Sequence, residues 1–121
     1  MVFVVDDDEA VRDSLGALLG ANGLHVQGFG SAAEFLESGR QASPCCLLVD
    51  HQMDGMTGLD LIETLQNNSP PHAIILISGF LDPEVRRRAE AAGVVAIFEK
   101  PLPKAELVKT VRSAIRSIAG R

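Results

Sequence analysis

The chain has 121 residues, of which 46% are hydrophobic and 22% are charged, a composition typical of a globular domain. This length leaves no room for a second folding unit, so we expect residues 1–121 to form a single domain. No apolar run approaches a membrane span and no basic leader precedes the first strand, so the sequence predicts a cytoplasmic protein without membrane insertion.

The net charge of −5 conceals an uneven distribution of charged residues. Residues 1–81 carry eleven acidic side chains against two basic ones, whereas residues 82–121 carry nine basic against five acidic. An acidic protein is poorly suited to nonspecific nucleic-acid binding, so we expect none. The acidic part favours a cation site, and the basic part is either a solvated helix surface or a face for a partner.

The first third of the chain predicts two strands and two helices. Val2–Val5 is a short apolar run, and apolar residues then recur at helical spacing from Asp8, which can cap the helix. His25–Phe29 predicts a second short strand. Ser31 followed three residues later by Glu34 is a capping box, which predicts the start of a short second helix.

The rest of the chain predicts three more strands separated by helices. Cys45–Val49 is continuously apolar, as expected of a strand buried on both faces, and its adjacent cysteines predict reduced core residues. The remaining segments are a helix around Leu59–Leu65, a loop at Asn67–Pro71, a strand at Ala73–Ile77, a helix at Pro83–Ala92, a strand at Val94–Phe98 and a helix at Lys104–Ile118. Five strands alternating with five helices predict an α/β fold with a doubly wound parallel sheet.

Polar residues stand at the ends of four of these strands. Asp6 and Asp7 follow the first strand, Asp50 the third, Ser78 the fourth, and Lys100 comes shortly after the fifth. Because the carboxyl ends of parallel strands meet at one edge of a sheet, we expect these side chains to converge. Three carboxylates so close together repel one another unless a cation joins them. Oxygen ligands of this kind favour Mg²⁺, with Mn²⁺ as an alternative ion.

These groups are the parts that phosphoryl transfer needs. Asp50 is a candidate nucleophile that accepts a phosphoryl group as an aspartyl phosphate. Lys100 can neutralise a phosphoryl oxygen, and the Ser78 hydroxyl can donate to another. Taken singly, each residue also has a structural interpretation: an acidic helix N-terminus, a turn serine and a solvated lysine.

Five stretches of the chain carry a resemblance to a known family. They are VVDDD, EAVRDSL, LLVDHQM with the following Gly58-Leu59, ILISG and FEKP. Through them the chain resembles the receiver domain of bacterial two-component response regulators over essentially its whole length, and in particular the receivers of helix-turn-helix transcriptional regulators. The resemblance implies a flavodoxin-like sheet with strand order 2-1-3-4-5. It also implies a signalling domain that catalyses only its own phosphorylation and slow dephosphorylation.

The resemblance assigns a role to each residue at the strand ends. Asp50 would be the phosphoacceptor, and a sensor histidine kinase would be the donor. Asp7 would bind Mg²⁺ directly, Asp6 would act through water, and the backbone carbonyl of Gln52 would complete the protein ligands. Ser78 and Lys100 would contact the phosphoryl group.

The resemblance further implies a switching surface, although two residues depart from the family's pattern. Phosphorylation would change the face formed by Pro83–Ala92, Val94–Phe98 and Lys104–Ile118, where a homodimer or effector contact is expected. Asp54 stands where a proline usually follows the methionine of the acceptor loop. Ile97 stands where an aromatic switch residue usually lies, and strand alternation directs Phe98 to the other face of the sheet.

Two other classes of function remain open from the sequence. The departures leave room for a phosphorylation-independent pseudo-receiver that only binds a partner. Asp6-x-Asp8 after an apolar strand also fits the opening motif of a haloacid-dehalogenase-type phosphatase, a family that uses serine or threonine and lysine at later strand ends. Against the phosphatase, no Gly-Thr follows Asp8 and the chain has no room for a cap or a second acidic motif.

Overall fold

The structure, a computed structural model, describes residues 1–68 and 71–119. Its strands are β1 (Val2–Val5), β2 (Val26–Phe29), β3 (Cys46–Asp50), β4 (Ala73–Ser78) and β5 (Ala96–Glu99), and its helices are α1 (Glu9–Ala21), α2 (Ala32–Glu37), α3 (Gly58–Asn68), α4 (Pro83–Ala91) and α5 (Lys104–Ala119). The five strands pair in parallel in the order β2-β1-β3-β4-β5, which confirms the predicted topology. None of the helices described is long and apolar enough to span a membrane.

Side chains along each strand alternate between the two faces of the sheet. In β3, Leu47 and Val49 pack on the face that α2, α3 and α4 cover, whereas Cys46 and Leu48 pack on the face that α1 and α5 cover. Because both faces are covered, the central strands are continuous hydrophobic runs in the sequence. Cys45 and Cys46 are both buried free thiols, as predicted.

The first helices begin where the capping signals in the sequence predict. The Asp8 carboxylate accepts a hydrogen bond from the Ala10 N–H at 2.9 Å. The Ser31 hydroxyl accepts one from the Glu34 N–H at 3.0 Å, and the Glu34 carboxylate in turn accepts one from the Gly30 N–H at 3.2 Å. These bonds satisfy N–H groups that have no partner inside the helix. The cap at Asp8 starts α1 directly beyond the acidic residues that follow β1.

Several predicted boundaries differ by one residue, and two were wrong by two residues or more. The fifth strand begins at Ala96 rather than at Val94, because the Val94 N–H bonds to the Ala89 carbonyl at 3.3 Å, at the end of α4. Helix α3 extends to Asn68, so the first two residues of the predicted loop Asn67–Pro71 are helical, because burial of the apolar face of a helix overrides the weak helix propensity of asparagine. Residues 69 and 70 of that predicted loop lie outside the described residues.

His72 is buried directly before β4, where it connects that strand to the start of β3. Its Nδ1 accepts a hydrogen bond from the Cys45 N–H at 3.0 Å, and the Ala73 N–H donates to the Cys45 carbonyl at 2.9 Å. A ring nitrogen that accepts a hydrogen bond carries no proton, so the folded protein holds His72 neutral, with its proton on Nε2. Burial accordingly lowers the pKa of His72.

Acid should weaken the fold through His72. Because its pKa in the folded protein lies below the ordinary value of 6.5, the unfolded chain binds the proton more readily, and stability is lost as the pH falls through that value. The variant His72→Asn keeps an acceptor but does not titrate. Urea unfolding at pH 7 and pH 5 should show a larger loss of unfolding free energy in the wild type than in His72→Asn. Equal losses would contradict the assigned tautomer.

Candidate functional site

Two neighbouring central strands end in carboxylates at the same level of the sheet. Parallel pairing aligns Val5 of β1 with Val49 of β3, so Asp6 and Asp50 follow side by side. Both are almost fully buried, at 1% and 3% exposure, whereas Asp7 is exposed. Carboxylate oxygens of the three acids lie within 4.8 Å of one another. The structure therefore brings together the acidic residues singled out in the sequence.

Lys100 reaches the same cluster from the end of β5. Its Nζ lies 3.7 Å from Asp50 Oδ1 and 3.8 Å from Asp6 Oδ2. Its backbone N–H donates to the Ser78 carbonyl at 2.8 Å, which fixes the lysine beside β4. One ammonium group faces three carboxylates, so the cluster retains a net negative charge when all the acids are ionised.

Burial and the charges of neighbouring carboxylates raise the pKa values of Asp6 and Asp50. The pKa of Asp50 is raised to about 6, first by burial and then by the charge of Asp6, while Lys100 acts to lower it. The pKa of Asp6 is also raised, chiefly by burial, against the opposing effects of the Asp8 N–H, which donates to it at 2.9 Å, and of Lys100. The three carboxylates thus form an oxygen donor set with unbalanced charge, which fits a hard divalent cation such as Mg²⁺.

The loop after Asp50 is held by a close approach of backbone to backbone. The His51 N–H donates to the Ile77 carbonyl at 2.8 Å, and the Gly58 N–H donates to the His51 carbonyl at 3.2 Å. A Cβ atom at Gly58 would lie 2.3 Å from the Asp50 carbonyl oxygen, closer than atoms can pack. Only glycine therefore fits where α3 begins. The sequence carries no signal for this contact, because it depends on how the loop returns to the strand end.

Two further contacts support the acids and were not identified from the sequence. Arg12 Nη1 on α1 donates to the Asp6 carbonyl at 2.7 Å. The Asp54 N–H donates to Asp7 Oδ2 at 3.4 Å, a contact that a proline at this position lacks the N–H to make. The departure at Asp54 was visible in the sequence, but its consequence for Asp7 depends on the folding of the loop.

The Gln52 side chain joins the loop after Asp50 to the loop between β4 and α4. Its Nε2 donates to Ser78 Oγ at 2.8 Å and to the Phe80 carbonyl at 3.2 Å, and its Oε1 accepts from the Gly79 N–H at 2.8 Å. The Ser78 hydroxyl also donates to the Phe80 carbonyl. The sequence predicted a role for the backbone carbonyl of Gln52 but none for these side-chain contacts. The Ser78 hydroxyl, expected to face a phosphoryl group, bonds here to Gln52 and Phe80.

A family of known proteins matches nearly the whole chain. The response regulator receiver domain family matches residues 2–112. The chain belongs to this family. The receiver is similar to the transcriptional regulatory protein FixJ of Azorhizobium caulinodans, at 36% identity over 114 residues, which cover 94% of this chain and 54% of FixJ. It is also similar to the response regulator protein TodT of Pseudomonas putida, at 35% identity over 116 residues, covering 96% of this chain and 51% of TodT.

The same family is found among solved structures. The receiver superposes on the response regulator StyR with a TM-score of 0.90 and 36% identity, covering 99% of this chain and 61% of the StyR chain. The chain thus spans about half the length of the curated relatives it matches. The sequence-based identification of a two-component receiver domain is confirmed, and the chain is a signalling domain rather than a metabolic enzyme. These matches favour neither the phosphatase nor the pseudo-receiver.

Adding one methyl group at Gly58 should destabilise the receiver. Because the Cβ of Gly58→Ala would overlap the Asp50 carbonyl, the acceptor loop or the start of α3 must shift, at a cost of about 2–3 kcal/mol. Gly16→Ala is the matched control, since beyond the adjacent residues and the backbone of its own helix no atom lies within 4 Å of the added Cβ, and alanine should favour helix α1 by about 0.5–1 kcal/mol. Urea unfolding measures both changes. A Gly58→Ala variant as stable as the wild type would contradict the close approach.

Replacing Asp50 with asparagine should stabilise the receiver in the absence of metal. The raised pKa means that the folded state resists ionisation of Asp50, so the wild type is destabilised above about pH 6 and recovers as the pH falls through that value. We expect Asp50→Asn to gain about 2 kcal/mol of unfolding free energy at pH 8 in EDTA, and less at pH 5. Asp13→Asn, which removes one negative charge at an exposed position on α1, is the matched control. A loss of stability in Asp50→Asn at pH 8 would contradict the electrostatic account.

Proposed function

We propose that residues 1–121 form a phosphoacceptor domain in which Asp50 takes a phosphoryl group from a phosphohistidine of a sensor histidine kinase. The observation that carries this proposal is the convergence of the buried Asp50 with Asp6, Asp7 and Lys100 at the ends of the central strands. In the transfer, an Asp50 carboxylate oxygen bonds to phosphorus as the bond from phosphorus to the histidine nitrogen breaks.

We propose Mg²⁺ as the ion of the acidic cluster, with Mn²⁺ as an alternative. Asp7 and Asp50 would bind it through carboxylate oxygens and Gln52 through its backbone carbonyl, while Asp6 would act through a water molecule. When bound, the ion supplies positive charge beside the attacking carboxylate and the phosphoryl oxygens. The Asp54 N–H, which donates to Asp7, supports the orientation of that carboxylate.

Lys100 and Ser78 would bind the phosphoryl oxygens. The Lys100 ammonium, 3.7 Å from Asp50 Oδ1, is placed to neutralise one oxygen as charge accumulates there. The Ser78 hydroxyl would donate to another. Because phosphoryl transfer needs mainly positioning and charge neutralisation, these groups suffice for the domain to catalyse its own phosphorylation and a slow hydrolysis of the product.

We propose that phosphorylation shifts the population of two states of the face formed by α4, β5 and α5. Much of the basic excess of the chain lies on the two helices, at Arg86, Arg87, Arg88, Lys104, Lys109, Arg112 and Arg116. Arg88 pairs with Glu63 and Arg112 donates to the Asn22 carbonyl, and the remaining basic surface suits contact with an acidic surface, on an effector or on a second copy of the domain.

The names and lengths of the relatives suggest the setting in which the domain works. FixJ is described as a transcriptional regulatory protein, and this chain covers 54% of it. We therefore propose that the receiver acts beside a DNA-binding effector domain and does not bind nucleic acid itself. A sensor kinase as partner would place it in the cytoplasm, where the kinase draws its phosphoryl group from ATP.

Intact mass after incubation with acetyl phosphate tests this function. The wild type should gain the mass of one phosphoryl group in the presence of Mg²⁺ and gain nothing in EDTA. Asp50→Asn should gain nothing, and Lys100→Ala should be phosphorylated about a hundredfold more slowly because charge developing on the phosphoryl group is no longer neutralised. Asp13→Asn serves as the control and should be phosphorylated like the wild type. Full phosphorylation of Asp50→Asn would overturn the assignment.

A further inference from the structure

The amide of Gln52 is fixed in one orientation by two backbone groups. Its Oε1 accepts a hydrogen bond from the Gly79 N–H at 2.8 Å, and its Nε2 donates to the Phe80 carbonyl at 3.2 Å. A flipped amide would set a donor against the N–H and an acceptor against the carbonyl. Gln52 therefore holds the loop between β4 and α4, residues 79–82, through two hydrogen bonds of opposite direction, one accepted from Gly79 and one donated to Phe80.

The same contacts use the full hydrogen-bonding capacity of the Ser78 hydroxyl. Ser78 is completely buried, and its Oγ accepts from Gln52 Nε2 at 2.8 Å and from the Phe80 N–H at 3.2 Å. Its single proton is directed to the Phe80 carbonyl, with Gln52 Oε1 the other acceptor within reach at 3.1 Å. A hydroxyl has one proton to donate and two lone pairs. While the Ser78 hydroxyl makes these hydrogen bonds, it has no proton left to donate to a phosphoryl group on Asp50.

We propose that Gln52 is a positioning residue whose side chain holds Ser78 and residues 79–82 in the resting arrangement. We call the hydrogen bonds among Gln52, Ser78, Gly79 and Phe80 the loop clamp. The clamp opens when the Ser78 hydroxyl turns to the phosphoryl group, an inference that rests on the proposed role of Asp50. When the serine turns, Phe80 loses its bonds to the hydroxyl and Gln52 Nε2 loses one of its acceptors. The Gln52 amide, held by fewer contacts, then also releases the Gly79 N–H, and the loop changes conformation with the serine.

The loop clamp provides a connection to α4 that does not pass through β5. Residues 79–82 lead directly into α4, whose first turn is capped by Asp82, which accepts from the Val85 N–H at 2.9 Å. Ile97 of β5 packs against the core on the side of α4 and has no aromatic ring that could couple Ser78 to α4. Phe80 is 70% exposed and moves with its own backbone when the clamp opens. An exposed aromatic side chain is therefore displaced beside the phosphorylated site.

Three variants separate the side-chain contacts from the rest of the site. Gln52→Met has a similar length but neither accepts from Gly79 nor donates to Phe80, and Gln52→Ala removes the side chain altogether. Gln52 is exposed, so neither change disturbs the core. Phe80→Ala is the matched control, because it removes the ring but keeps the N–H and carbonyl that belong to the loop clamp.

Hydrogen–deuterium exchange of the Gly79 amide, followed in the full chain by NMR, measures the clamp. In the unphosphorylated protein, Gln52→Met and Gln52→Ala should exchange Gly79 about threefold to tenfold faster than the wild type, since one hydrogen bond is lost. Phe80→Ala should keep the wild-type protection after correction for intrinsic rates. With acetyl phosphate and Mg²⁺, the wild type should lose protection by a similar factor, while Gln52→Met should change little further.

The intact mass of each sample separates failure of the clamp from failure of the proposed function. A wild type that is phosphorylated yet keeps full protection at Gly79 overturns the clamp, and so does unchanged resting exchange in Gln52→Met. A purely structural role of Gln52 would leave the phosphorylation-induced change equally large in wild type and Gln52→Met, which also overturns it. A wild type that gains no mass overturns the role of Asp50, and with it the opening of the loop clamp on phosphorylation.

Discussion

Burial of the carboxylates at the ends of β1 and β3, together with repulsion between them, is the constraint on which the rest of the site depends. The register of the two central strands sets Asp6 and Asp50 side by side in a buried position, and the pKa of Asp50 is raised to about 6 as a result. Lys100 offsets part of this cost from β5. Packing of the apolar layers on both faces of the sheet must offset the free energy that the buried carboxylates cost the folded state. A site that is unfavourable without a counter-charge has the most to gain from binding one.

The convergence of charged residues was predictable because it follows from periodicity and topology. Apolar runs locate the strands, parallel pairing brings their ends to one edge, and the three acids and Lys100 meet there as expected. Contacts made within loops have no periodic signal, so the close approach at Gly58 and the side-chain bonds of Gln52 emerged only from the structure. The start of β5 was misplaced for a similar reason, since Val94 bonds back to the preceding helix.

The two departures from the family's pattern have different structural consequences. Asp54 brings an N–H to Asp7 that a proline lacks, so the acceptor loop contacts the acidic cluster through its backbone as well. Ile97 is half-buried and packs against the core on the side of α4, while its neighbour Phe98 packs on the opposite face of the sheet. The aromatic residue beside Ser78 is instead Phe80, which lies in the loop and is mostly exposed. The acidic cluster and Lys100 are thus present, and Phe80 lies nearer to Ser78 along the chain than Phe98 does.

The alternation of side chains along the strands also divides the core into two layers. Cys45 and Cys46 are adjacent in sequence, yet one packs in the layer with α2, α3 and α4 and the other in the layer with α1 and α5. Substitutions within a layer share packing partners and should be epistatic, whereas substitutions in opposite layers should combine additively. The layer with α1 and α5 can therefore be redesigned while the layer with α2, α3 and α4 stays unchanged.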